Sequence, residues 1–305
     1  MTKERPMNEP ILSRRALCST LAGVAGFATI GTPAIASAAV TGAGQSPLRR
    51  YMKVYASLQP ETLYYWYSGT LEMAPQDGPI VPLAGIETLI RRDVTPHADG
   101  NFTVVSHEAN YVRGLDDARP LDTLVNPVTG RTVQPLHFSE GPRSTLLTEQ
   151  ALAPRKMADI ESVTSWREAG PYTWLYRTLH IDMAHPLDMQ RWPLEASGPR
   201  NRTGSFSTHC ALTRDVADPA LAAAPCSFTY EALFGWFPWL LMAQMPGHLL
   251  WRAAGMKLPS LADLPAASRV GFEQSFPAIF TGAGFGPEGV NLWERFKATR
   301  QPARP

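Results

Sequence analysis

Residues 235–257, GWFPWLLMAQMPGHLLWRAAGMK, hold three of the chain's eight tryptophans in one apolar run, and the rest of the fold is expected to pack around them. Pro238 and Pro246 each lack a backbone donor and clash with the preceding turn, so one straight helix is excluded. Two short helices are expected instead, each opening on a proline, with Gly255 ending the second in a left-handed conformation. Gln244, His248 and Arg252 interrupt the run, which falls short of the roughly 20 unbroken apolar residues of a membrane span. The expectation is a buried or lid-like helical pair that places Trp236, Trp239 and His248 over one end of a cavity.

Beyond this run, helical patterns are expected near residues 264–276 and 290–297. Before it, the chain reads as strands and turns. Residues 172–183 alternate most clearly: Trp174, Tyr176, Thr178, His180 and Asp182 share one face, and Leu175, Arg177, Leu179, Ile181 and Met183 share the other. The second face reads as core. The first, aromatic and polar together, reads as the wall of a ligand cavity. His180 and Asp182 lie two residues apart on that face, roughly 6 to 7 Å between Cα atoms. At that spacing the carboxylate can orient or charge the imidazole for acid–base chemistry, although a solvated strand face explains the same pattern. His185 extends the series to His-x-Asp-x-x-His. A zinc or iron site through His180, Asp182 and His185 is the minority alternative, because the spacing matches no closed zinc pattern and Pro186 turns the chain away. No cofactor is otherwise expected.

Residues 102–113 form the clearest earlier strand. Phe102, Val104, Ser106, Glu108 and Asn110 take one face, and Val105, His107, Ala109 and Tyr111 the other, so His107 and Glu108 cannot act side by side without a bulge. Either is a candidate second titrating group. Residues 63–71, LYYWYSGTL, are β-prone and supply Tyr65 as a ligand-binding candidate beside Tyr111, Trp174 and Tyr176. Asp77-Gly78-Pro79 and Asn126-Pro127-Val128-Thr129-Gly130 mark turns, Asn126 acting as the cap of the second. His209, Ser205 and Ser207 form no nucleophile motif. GxSxG, the phosphate-binding P-loop and HExxH are all missing, which withdraws the usual sequence support for hydrolase-elbow, nucleotidase and zincin readings.

The first 38 residues read as an export signal. Ser13-Arg14-Arg15-Ala16-Leu17 has the twin-arginine form, a Gly/Ala-rich stretch follows, and Ala34-Ile35-Ala36 and Ala36-Ser37-Ala38 offer small-x-small cleavage sites. A periplasmic protein is expected, delivered by the twin-arginine machinery and formed by residues 39–305 as one domain. Removing Lys3, Arg5, Arg14 and Arg15 with Glu4 and Glu9 takes the net charge from +1 to near −1. No basic stripe remains for nucleic acid. In an oxidising compartment the two remaining cysteines, Cys210 and Cys226, are expected to be bridged, with two separate buried thiols as the alternative.

Tyr65-Trp66-Tyr67-Ser68-Gly69, the turn at residues 126–130, Arg191-Trp192-Pro193, the run from Trp236 to Leu249 and Gly255-Met256-Lys257 together resemble the bacterial and fungal domain-of-unknown-function 1838 family over nearly the whole mature chain. The resemblance implies an exported single-domain protein and no assigned chemistry, cofactor or catalytic residue.

Many short strands without strand–helix alternation point to a mainly β fold with accessory helices, α+β in class: an antiparallel, calycin-like barrel closed or nearly so and capped by C-terminal helices. The function expected of it is a cofactor-independent lyase or isomerase acting on an apolar, aromatic small molecule. The alternative is a periplasmic carrier that binds such a molecule without chemistry.

Overall fold

The structure, a computed structural model, describes residues 45–281, 284–285 and 291–303; the expected export signal lies outside them. The first described element is helix α1 (Pro47–Tyr55). Ser46 caps it by accepting a hydrogen bond from the Arg49 amide, and Pro47 sits in the first turn, where no donor is needed. Leu48, Tyr51, Met52 and Tyr55 recur at helical spacing and turn one face inward.

Ten strands form one antiparallel sheet. In chain order they are β1 (Thr62–Pro75), β2 (Val81–Pro96), β3 (Phe102–Arg113), β6 (Phe138–Leu147), β7 (Arg155–Lys156), β8 (Ile160–Ala169), β9 (Tyr172–Ala184), β10 (Arg200–Leu212), β11 (Cys226–Phe234) and β12 (Gly247–Leu258). Between β3 and β6 a separate hairpin, β4 (Leu124–Val125) and β5 (Thr132–Val133), carries the Asn126 turn. The spatial order is β6-β3-β2-β1-β12-β11-β10-β9-β8-β7. The edges, β6 and β7, are not paired with each other, so the sheet is open and the expected closed barrel is not formed. It is nevertheless curled, because residues of β6 and of β8 line the same cavity.

Residues 235–257 fold differently from the expected helical pair. Only Pro238–Leu240 makes a single 3-10 turn, and Gly247–Leu258 is strand β12 at the middle of the sheet. Its apolar residues repeat every second position: Leu249, Trp251 and Ala253 face inward, while His248, Arg252 and Met256 face out. Pro246 precedes the strand and removes no ladder bond. Gly255 is required by close approach rather than as a helix end, since a Cβ there would lie 1.9 Å from the Trp66 carbonyl oxygen.

Residues 126–130 and the 3-10 turn are tied by one buried side chain. Asn126 accepts from the Val128 amide at 2.9 Å and donates to the Leu240 carbonyl at 2.9 Å. The Asn-Pro-Val-Thr-Gly and Phe-Pro-Trp-Leu-Leu segments therefore dock on each other as structure.

A short helix, α2 (Thr213–Ala217), follows β10, and two later helices fall where expected: α3 (Ala266–Ser275) and α4 (Leu292–Thr299). They do not cap the cavity. α3 covers the outer face, packing Phe272 edge-on against Tyr111 with ring centroids 4.9 Å apart. Glu87, also on that face, holds α3 in place: it accepts from Trp66 Nε1 at 2.8 Å, Arg113 Nε at 2.9 Å and Ser268 Oγ at 2.9 Å. α4 lies beside β6, with Arg295 donating to Ser139 Oγ at 3.1 Å. No helix among the described residues is long and apolar enough to cross a membrane.

Cys210 and Cys226 are free thiols, against the expected bridge. The pairing of Ala211 with Cys226 and of Cys210 with Ser227 puts the two sulfurs on opposite faces of the sheet. Cys226 is buried beside the Tyr65 hydroxyl, 3.5 Å away.

Candidate functional site

The inner face of the sheet encloses a cavity of about 670 Å³, within the range that small-molecule sites occupy. Its apolar wall includes Ile90, Leu147, Leu152 and Phe228, and two phenols, Tyr67 and Tyr230, stand among them. Two groups of charged side chains face this space.

Glu108 of β3 is the first. The alternation of residues 102–113 holds as expected, with Glu108 inward beside Ser106 and Asn110. Burial pushes its carboxyl up to about 7, and Glu140, directly opposite on β6, pushes the same way. Asn110 Nδ2 donates to it at 2.9 Å and works against the rise. Arg143 pairs with Glu140 at 3.0 Å, leaving Glu108 outside that ion pair. Burial also holds the Tyr67 and Tyr230 phenols well above their usual range, with Glu108 adding to the effect. Both therefore stay protonated and able to donate.

The second group is Arg92 of β2 and Arg177 of β9, which meet at Tyr55 of α1. Their guanidinium carbons lie 3.7 and 4.7 Å from the centre of the Tyr55 ring. Arg92 donates to the Tyr55 carbonyl at 2.7 Å, while its buried Nε has no partner. Burial acts to raise the Tyr55 hydroxyl, but the charges of Arg92 and Arg177 outweigh it and leave that pKa lowered. Deeper still, His209 is wholly buried with both ring nitrogens unpartnered, its ring 5.5 Å from Tyr65 and 4.7 Å from Phe228. Burial, reinforced by Arg92, Arg177 and Lys257, keeps this imidazole neutral.

The residues expected to form the site are dispersed. His180 and Asp182 share a face, but it is the outer one: His180 is exposed against Phe206, and Asp182 accepts from Arg200 Nε at 2.6 Å and lies 3.4 Å from Arg202 Nε. The cavity-facing side of β9 is the one expected to be core, with Leu175 and Arg177. Trp174 and Tyr176 go outward with His180. His185 turns back on its own loop, its ring accepting from the Leu187 amide at 3.1 Å. Among the described residues no three His, Cys, Asp or Glu side chains gather as a metal would need, so the grouping of His180, Asp182 and His185 is not assembled.

His107 points to the outer face, 3.6 Å from Asp93 and beside Phe285. Tyr111 lies under α3. Tyr65 faces inward but beneath the cavity floor, its hydroxyl donating to the Val54 carbonyl at 2.8 Å. Trp236 and Trp239 are core residues rather than a lid, and His248 is exposed.

Tyr55, Arg92 and Arg177 were missed. The signals were present: Ser46-Pro47 opening an amphipathic stretch, and an arginine set into the otherwise apolar Leu175, Leu179, Ile181 face.

A family model described as "Protein of unknown function (DUF1838)" matches residues 60–298. No curated protein matches the chain.

Proposed function

The chain belongs to the DUF1838 family, whose description assigns no chemistry, and from its cavity we propose a lyase or isomerase that moves a proton on an apolar, aromatic small molecule by acid–base catalysis. The observation that carries this is Glu108: a carboxyl poised at about 7, facing an aromatic cavity and free of an ion pair. A base so tuned is half ionised near neutrality and still strong enough to take a carbon-bound proton. In this reading Glu108 removes the proton, and Tyr67 and Tyr230 donate to the charge that develops on the substrate. The proton then returns to another carbon in an isomerisation, or a leaving group departs in an elimination. His180 and Asp182 lie outside this scheme.

Export through the twin-arginine route belongs to the same proposal and rests on Ser13-Arg14-Arg15-Ala16-Leu17. Replacing Arg14 and Arg15 by lysine is expected to hold the protein in the cytoplasm; normal export of that variant refutes the route.

The chemistry is tested by incubating the protein lacking residues 1–38 with lignin-derived aromatics, terpenoids and lipids, and identifying by mass spectrometry what stays bound and what is converted. Conversion that is lost in Glu108→Gln supports the enzyme. A compound bound tightly and returned unchanged makes the protein a carrier, and full turnover by Glu108→Gln removes Glu108 from the mechanism.

A further inference from the structure

Arg92 and Arg177 are two guanidiniums that no carboxylate of the described residues pairs with, although eleven arginine or lysine ion pairs are formed elsewhere among those residues. Both line the cavity. Arg92 is 5% exposed, and its Nε is buried without a partner. The rings of Tyr55 and Tyr65 lie 3.7 and 4.3 Å from its guanidinium carbon, yet a ring face satisfies no N–H donor and only partly offsets the desolvation of the charge. Arg177 is half-buried and also bonds the Tyr55 side chain. The two guanidiniums therefore border one open cavity around a shared tyrosine, and such a pair of planar donors fits a planar anion that accepts bidentately.

We infer that the ligand of this cavity carries a carboxylate, held by Arg92 and Arg177, on an aromatic body that lies along Phe228, Tyr67 and Tyr230. The inference names the substrate class for the acid–base reading and rests on it. Arg92 and Glu108 are adjacent inward positions on the paired strands β2 and β3, since Arg92 faces Ser106 and Ile90 faces Glu108. As diagonal neighbours across the two strands they lie roughly 7 to 8 Å apart. A carboxylate seated on the arginines therefore brings a carbon a few bonds away to Glu108, which suits an aryl-alkenoic acid better than a simple benzoic acid.

The test compares acids with neutral molecules of the same shape. Binding of cinnamate, dihydrocinnamate and benzoate, each against its amide, is measured by calorimetry on the protein lacking residues 1–38, with inorganic phosphate as a further arm. The acids are expected to bind at least tenfold more tightly than the amides, cinnamate best, and phosphate weakly. Arg177→Met is expected to lose about tenfold or more on the acids and little on the amides. Because Arg92 also braces α1, the selectivity of the unmodified protein decides the matter if variants fail to fold. Equal affinity for acid and amide, no affinity for any acid, or phosphate binding as tight as cinnamate overturns the inference. The two readings separate cleanly. Acid-selective binding without turnover keeps the carboxylate site and sinks the enzyme, whereas turnover of neutral aromatics with acids ignored does the reverse.

Discussion

Glu108 draws its basicity first from burial and then from Glu140, which lies opposite it on β6. If it is the base, kcat/KM should rise with pH through an ionisation near 7 and level off above it. Glu108→Gln should abolish that limb and cost about 100-fold or more in turnover; an unchanged pH profile in the variant would assign the limb to another group. The position of Glu108 was legible, since strict alternation of residues 102–113 sorts it from His107. The same alternation places His180 with Asp182, but on the outer face of β9. Period two tells which residues share a face, but which face is inside depends on the strands that lie across the cavity. Arg177 was the clue, because a cation amid Leu175, Leu179 and Ile181 needs a reason to point inward.

β12 shows how an element can be mistaken when its punctuation is read before its period. Two prolines suggested two helix starts, yet Leu249, Trp251 and Ala253 repeat at the period of a strand. The prolines end up before the strand and in the 3-10 turn. The glycine expected to stop a helix instead lets β1 and β12 approach closely. Gly255→Val is therefore expected to destabilise the fold by more than about 3 kcal/mol, seen as a lowered urea midpoint with an unchanged slope; a wild-type midpoint would show that the close approach has room. Glu87 makes a second test at this scale. Glu87→Ala leaves Arg113 uncompensated under α3 and should cost about 3 to 5 kcal/mol, whereas a neutral substitution would mean that α3 is held by Phe272 and Tyr111 alone.

For the whole molecule, antiparallel β class and two C-terminal helices were legible from local pattern, while closure was not. Whether the edge strands meet is decided by curvature summed over ten strands, which no single stretch encodes. The shared cavity also gives the stability of the molecule a pH dependence. The Glu108 pKa of about 7 in the fold lies above its ordinary value of 4.5, so the folded state binds the proton more tightly. This contribution is fully present below about 4.5 and is lost as pH rises through about 7. It amounts to at most about 3 kcal/mol. Melting temperatures should fall across that window in the wild type and fall less in Glu108→Gln; parallel curves would show that Glu108 does not titrate there.

The central pairing of β1 with β12, Tyr65 facing Lys257, sets an order of assembly. A chain emerging from the ribosome can build the arm β1-β2-β3-β6 from neighbours in sequence, and later the arm β7 to β11. β12 is the strand that touches both. Arg92 belongs to the first arm and Arg177 to the second. The paired guanidiniums come into being only when the segment ending at Leu258 has been made, and a product that stops earlier carries half a binding site on each of two unjoined sheets.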